Sequence, residues 1–443
     1  MIPNLARKKA KTFRLRAAPW ILIFVFGSVS VCQGYSVLTH EAIIDSAWDE
    51  GIKPLLLQRF PGATPEDLKT AHSYAYGGCV IQDLGYYPFG SHLFSDLLHY
   101  VRTGDFVQAL IRDSQDLNEY AFALGALAHY AADNQGHRVA VNLAVPMLYP
   151  KLRAKYGDTI VYDQDPAAHL KTEFGFDVLE VAKGRYAPDD YRGFIGFQVS
   201  KPLLEKAFQE TYSLELKSVF SDFDLSVGTY RYSVSKAIPT ATKVAWDTNK
   251  DQIQQDIPGV TKQKFLYHIS RSSYEKNWGR KYQKPGFKVE LLAFLFRLVP
   301  KIGPFSVFRF KTPTPAAEKL FEASFNGSVT DYQRFLREQR DSGHIELVND
   351  NFDTGTVTGP GQYPLADKTY AQLLDNLAKD HFAQLSPELR KTLLDFYADP
   401  NAPDTTKKDE KEWSKVLKEV DELKALTPNP APTATSAAAT GGN

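Results

Sequence analysis

The sequence predicts an all-α protein: a multi-helix bundle with a mostly helical C-terminal extension. Three observations predict it. Apolar residues recur at helical spacing through the long segments between residues 37 and 235. The stretch 117–133 is apolar on several faces, as befits a helix inside a bundle. Seven of the ten histidines lie between positions 40 and 173, and most come with carboxylates at metal-ligand spacing. In the pairs His129-x3-Asp133 and His169-x3-Glu173, the four-residue step stacks two side chains on one helical face.

The elements follow in order. Residues 37–58 read as a helix, with Thr39 as N-cap and Ile43, Ile44, Ala47 and Trp48 as its apolar stripe. Residues 64–76 read as another, opened by the start signal Thr64-Pro-Glu-Asp. From Gly77-Gly78 to Gly90 the chain reads as a Gly- and Tyr-rich turn region holding Asp83, before a helical stretch near 92–102. The strongest helix, 117–133, carries His129 and Asp133 inside its apolar surround. Buried charge is costly unless it is paired or bound to metal. Residues 166–182 and the amphipathic 199–215 are further helices, and 220–235 fits either a helix or a short strand.

Near residue 250 the composition turns Gln- and Asp-rich, then Lys- and Arg-rich through 288. An apolar block at 289–299 is ended by Pro300, Gly303 and Pro304. It is too short to span a bilayer and reads as a core helix, or as a membrane-surface helix with Lys288, Arg297 and Lys301 at the head groups. Residues 366–398 and 408–425 have helical periodicity. The expected organisation is a signal peptide over 1–34, a hydrolase domain over 35–250, an extension of unassigned role over 251–425 and a disordered tail over 426–443.

Formal net charge is zero, which argues against a general polyanion binder. The first 34 residues hold six cations and no acid, so the remainder carries minus six. The basic start, the apolar run from Trp20 to Gly27 and the smaller residues through Gly34 read as a secretory signal. The expected location is secreted or periplasmic. A retained membrane anchor and a lipidated Cys32, to which Val31 is poorly suited, are the alternatives. Cleavage after Gly34 leaves Cys79 alone, so the core, and metal with it, must hold the fold without disulfides. Cys79 itself reads as a small buried hydrophobe.

The chemistry-bearing residues are Tyr35-Ser-Val-Leu-Thr-His40, Gly78-x4-Asp83, Asp96-Leu-Leu-His99, His129-x3-Asp133-x3-His137 and His169-x3-Glu173. Imidazole and carboxylate together suit a first-row dication, usually zinc, and these residues suffice for more than one ion.

Their order, spacing and helical context resemble the bacterial zinc-dependent phospholipase C family, which shares its trinuclear zinc fold with the fungal single-strand nucleases. The resemblance covers roughly residues 35–200. It implies a helical bundle of that type and three zinc ions. Asp83, His99, His129 and Asp133 would hold the first, and His137, His169 and Glu173 the second. The third would take His40, the shared Asp133 and the free α-amino group and carbonyl of Tyr35, where the family usually has Trp. Cys32 and Gly34 are small enough at the −3 and −1 positions for a cut before Tyr35. The chain departs from the family in two places. His137 follows Asp133 by four residues where six are usual, and the longer gap to His169 implies an insertion near 145–165. His72 and His92 are the substitutes for His137; His268, His344 and His381 read as structural or exposed.

The implied activity is secreted, zinc-dependent, phospholipase C-like hydrolysis of phosphodiester bonds by metal-activated water, with Asp83 orienting that water or taking its proton. The aromatic loop 86–94 and the block 289–299 favour a phospholipid substrate and membrane-surface contact. A nuclease-like phosphodiesterase is the second reading, disfavoured by the acidic mature chain. A non-catalytic metal-stabilised module is the third. No Gly-x-Ser-x-Gly elbow is present, and none is needed.

Overall fold

One helix organises the molecule. In the computed structural model, which describes residues 36–183, 197–234 and 310–426 with scattered positions between 246 and 262, the central helix is Leu117–Gln135. Asp116 caps it, its carboxylate accepting from the amides of Asn118 and Glu119. From Tyr120 to Asp133 every residue is buried, so this helix needs neighbours on all sides.

In chain order the helices are α1 (Val37–Ala47), α2 (Lys53–Arg59), α3 (Pro65–Val80), α4 (His92–Tyr100), α5 (Thr103–Asp113) and the central α6 (Leu117–Gln135). Then come α7 (Asn142–Leu148), α8 (Pro150–Tyr156), α9 (Pro166–Lys183), α10 (Lys201–Tyr212) and α11 (Phe223–Tyr232). After residue 310 follow α12 (Pro315–Ser342), α13 (Pro364–Lys379), α14 (Pro387–Phe396) and α15 (Glu410–Ala425). Among the described residues there is no sheet; one isolated antiparallel bridge joins Asn351 to Thr356. The all-α expectation holds.

α3 lies against α6 so closely that the two backbones nearly touch. A Cβ added to Gly78 would fall 1.9 Å from the carbonyl oxygen of Phe122, and one added to Gly125 would fall 2.1 Å from that of Ala75. Here the sequence expectation is corrected. Gly77 and Gly78 lie within α3, which runs to Val80 instead of stopping at 76. The glycines permit a close helix crossing, and the turn begins only at Ile81–Tyr86, a 3-10 segment carrying Asp83.

Thr64 does open α3, in a capping box with Asp67. Thr39 does not cap α1, because Ser36 holds that position. The Thr39 hydroxyl and amide and the Leu38 amide all donate to Asp177 of α9 at 2.6–3.1 Å. A carboxylate thus satisfies the exposed amides at the helix start. Residues 220–235 are helical as α11, and 366–398 is two helices divided before Pro387.

The longest helix of the described residues, α12, has no counterpart in the sequence reading. Its mean character is polar, but Ala317, Phe321, Ser324, Ser328, Tyr332 and Phe335 form a buried stripe at three- and four-residue steps. That stripe covers α6. The Tyr332 hydroxyl donates to the Leu124 carbonyl at 2.9 Å, Gln135 donates to Asp331 at 2.6 Å, and Phe335 meets Tyr130 edge to face. Helices from beyond residue 310 therefore share one hydrophobic core with α1–α6. No helix of the described residues is long and apolar enough to cross a membrane. Residues 1–35, the block 289–299 and residues 427–443 lie outside the described residues.

Candidate metal centre

Every candidate ligand within the described residues is buried: His40, Asp83, His99, His129, Asp133, His137, His169 and Glu173 are each at most 2 % exposed. They fall into three groups whose ligand atoms lie within 4.8 Å of one another: His40, His129 and Asp133; Asp83, His99 and His129; and His137, His169 and Glu173. Tyr35 lies outside the described residues, so its amine has no described position.

Each side chain is delivered by a different local device. His129 and Asp133 stand one turn apart on α6. The His129 Nδ1 faces the Cys79 carbonyl at 3.0 Å, across the glycine-lined crossing with α3. His99 ends α4 with Nδ1 facing the Ser95 carbonyl at 2.8 Å. Both carbonyls accept from Nδ1–H and leave Nε2 as the metal donor. His169 is turned the other way: its Nε2 faces the Ile160 carbonyl at 2.6 Å, leaving Nδ1 toward Glu173 at 3.9 Å. After Gln135 the chain widens into a π-helical turn, Gly136–Val141, which carries His137 into the third group despite its short spacing from Asp133. The Cys79 thiol is buried, and its backbone carbonyl is the atom that meets the site.

The spacing of the groups tests whether zinc fits. Two donors on one tetrahedral zinc, with bonds of about 2.0–2.1 Å, stand roughly 3.3 Å apart. His129 Nε2 is 3.2 Å from Asp133 Oδ2, and His99 Nε2 is 3.5 Å from the same oxygen and 3.4 Å from Asp83 Oδ1. His40 Nε2 is 3.5 Å from the other Asp133 oxygen, Oδ1. One carboxylate thus offers an oxygen to each of two groups, the arrangement of a bridging ligand. The facing atoms of His99, His129, Asp83 and Asp133 form no well-aligned hydrogen bond with each other or with anything else. Buried donors and carboxylates so disposed are costly unless a cation joins them.

The ionisable groups of the centre are strongly perturbed. Burial, with the charges of Asp133, Asp83, Asp353 and Asp177 added, pushes Glu173 well above the ordinary carboxylate range. Burial also raises Asp83 against the pull of His129 and His99. Burial opposes ionisation of Asp133, but His129, His99 and His40 hold it well below its usual value. His99, although buried, is lifted to about 10 by Asp133 and Asp83. Burial and then His137 push His169 down to about 3, so its imidazole is neutral, the form that binds metal.

Not every histidine or acid flagged in the sequence is part of this centre. His72 meets Asp45 at 2.9 Å and stacks on Trp48, and His92 is exposed against Tyr86; neither substitutes for His137. Asp96 accepts from the Tyr86 hydroxyl at 2.9 Å and joins none of the groups. His344 and His381 are exposed, and His268 lies outside the described residues. The expected insertion at 145–165 holds α8 and the turn that brings the Ile160 carbonyl to His169. Two acids were missed. Asp177 continues the His169–Glu173 face of α9 by one more four-residue step, a signal present in the sequence. Asp353, in the loop before α13, faces His137 Nε2 at 3.2 Å and had no periodic signal.

Removal of metal should therefore be felt by the whole fold. At a free metal concentration about 1,000 times Kd, each site contributes about 4 kcal/mol to stability. Chelation of metal-loaded protein is expected to lower Tm by roughly 10 °C or more, read by calorimetry; an unchanged Tm would refute a structural dependence on metal.

Residues 39–222, under half of the chain, match the family model described as zinc dependent phospholipase C. No curated protein and no solved structure matches the chain.

Proposed function

We propose that the chain, whose residues 39–222 match the zinc-dependent phospholipase C family model, is a phospholipase C-like zinc hydrolase that cleaves a phosphodiester bond of phospholipids. The observation that carries the reading is the Asp133 carboxylate, one oxygen of which faces His40 and the other His99 and His129, all at zinc spacing. On this reading Asp83, His99, His129 and Asp133 would hold one zinc; His137, His169 and Glu173 would hold a second; His40 and Asp133, with the amine and carbonyl of Tyr35 after cleavage at Gly34, would hold a third.

Bound zinc supplies water acidified from a pKa near 15.7 toward roughly 7, and positive charge for the phosphoryl oxygens. The chain's own groups do the rest. Asp83, fully buried with neither oxygen in a well-aligned hydrogen bond, would orient the attacking water or accept its proton. The Cys79 and Ser95 carbonyls keep the His129 and His99 rings in the tautomer that presents Nε2. The acidic charge outside the first 34 residues opposes a nucleic-acid polyanion, so a lipid substrate is favoured over single-stranded DNA. The basic leader is read as a signal peptide, giving a secreted or periplasmic enzyme.

The test is zinc quantification on purified protein, followed by assays on phosphatidylcholine, other phospholipids and single-stranded DNA. About three zinc ions and lipid turnover are expected. Turnover of DNA alone would move the substrate to nucleic acid, and bound zinc without any turnover would leave a non-catalytic metal-stabilised module. Mass spectrometry of the secreted protein should find Tyr35 at the N-terminus; three bound zinc ions with any other start would overturn the third site as assigned.

A further inference from the structure

The loop between α12 and α13 reaches the metal centre from outside the family-matched segment. It is a tight turn, closed by the Asn351–Thr356 bridge and by the Gly355 amide donating to the Asn351 carbonyl at 2.7 Å. It is tied to the centre at several backbone points. The Phe352 amide donates to the His99 carbonyl at 3.0 Å, and Asn142 Nδ2, at the end of the turn that bears His137, donates to the Asp353 carbonyl at 2.8 Å. The Phe352 ring packs against the rings of His99 and His129. Asp353 is fully buried.

The two oxygens of Asp353 have different surroundings. Oδ2 accepts from the hydroxyls of Tyr100, at 3.0 Å, and Tyr363. Oδ1 faces His137 Nε2 at 3.2 Å, and neither of these atoms has a hydrogen-bond partner. The same signature marks the pairs His99–Asp83 and His129–Asp133: ring nitrogen and carboxylate oxygen at tetrahedral zinc spacing, buried and without an aligned hydrogen bond. A carboxylate oriented through one oxygen by two hydroxyls, with the other oxygen aimed at a candidate ligand, is built as ligating carboxylates are.

We propose that Asp353 is a ligand of the metal held by His137, His169 and Glu173, through Oδ1. This rests on the zinc reading above and extends it, because the family match ends at residue 222 and assigns no role to this loop. It raises the protein donors in that group from three to four, the count of a closed site. It also adds a negative charge beside Asp83, Asp133 and Glu173, where several dications would gather. The extension thereby contributes to the centre itself as well as to the core around it.

The experiment compares full-length wild type, Asp353→Asn and Tyr363→Phe, each loaded with zinc and dialysed against a weak chelator, then counted for metal. Cobalt-substituted samples are compared by visible absorption. Asn keeps the oxygen that the two tyrosine hydroxyls need, so Asp353→Asn is expected to fold with an unchanged far-UV circular dichroism spectrum. It should lose one metal equivalent, that site weakening by at least about 100-fold, since even residues that only orient a ligand are worth about 10–100-fold. The cobalt spectrum should change as well. Tyr363→Phe removes one of the two hydroxyls that orient Asp353 and should weaken the same site less, by about 10-fold. Full wild-type occupancy by Asp353→Asn, with an unchanged cobalt spectrum, overturns the proposal and leaves the zinc hydrolase standing. Wild type that binds no metal overturns both. If Asp353→Asn fails to fold, Asp353→Glu decides: retention of the full metal count with an altered cobalt spectrum supports ligation, and an unaltered spectrum overturns it.

Discussion

Asp133→Asn is expected to release metal and to abolish phosphoester hydrolysis. The substitution changes almost no volume, so it tests charge and donor atoms alone. One Asp133 oxygen faces His40 at 3.5 Å and the other faces His129 and His99 at 3.2 and 3.5 Å. An amide offers one oxygen and no net charge, so at most one of the two groups keeps its bridge. Metal catalysis of this kind is worth several kcal/mol in the transition state; a loss of about 4 kcal/mol is roughly a 10³-fold fall in kcat/KM. The variant should hold at least one fewer zinc ion, and its activity on phosphatidylcholine should fall by that factor or more. Wild-type turnover with a full metal count would remove Asp133 from the chemistry. A full count with no turnover would keep it as a catalytic group and deny it the bridge.

Gly125→Ala is expected to damage both fold and site, although the atoms nearest its Cβ position belong to Ala75 and Cys79 and not to a metal ligand. Its Cβ would meet the Ala75 carbonyl oxygen at 2.1 Å and the Cys79 amide nitrogen at 2.9 Å, backbone atoms with no rotamer to give way. α3 and α6 must move apart, and overpacking a well-filled interface typically costs about 1–3 kcal/mol. Here the cost should sit at the upper end, about 3 kcal/mol, a fall in Tm on the order of 5–10 °C. The same displacement lengthens the bond from His129 Nδ1 to the Cys79 carbonyl, which orients that ring. Metal affinity should therefore fall about 10-fold or more, as it does when a group orienting a ligand is lost. Calorimetry and zinc competition with a chromophoric chelator read the two effects. A stable variant with unchanged affinity would show that the close crossing does not position His129.

How far the sequence reveals this arrangement depends on the kind of signal each part carries. His129–Asp133 and His169–Glu173 are legible because helical periodicity puts each pair on one face before any tertiary contact exists. Thr64-Pro-Glu-Asp is legible because a capping box is local. Gly77-Gly78 misleads because glycine marks turns and close helix crossings alike, and only the partner helix tells them apart. The stripe of α12 is thinned by Ser324, Ser328 and Gly327, small residues that let the helix approach α6 while weakening its apolar pattern. Asp353 was beyond reach: it sits in the irregular run Asn349-Asp-Asn-Phe-Asp-Thr-Gly355, and its meeting with His137 is a long-range contact set by the docking of a loop.

The cover that α12 provides for α6 has a consequence in time. The chain is made from its N-terminus, and α6 is complete about 200 residues before α12 is. At synthesis rates of about 5–20 residues per second, a helix buried along its whole run from Tyr120 to Asp133 waits roughly 10–40 s for the partner that shields it. During that interval its Tyr130 face is a site for wrong association. A holding chaperone therefore has a defined client here, the nascent chain up to about residue 340. The loop bearing Phe352 and Asp353 follows α12 and reaches the centre later still, so the last side chains to meet it arrive after its histidines have long been made.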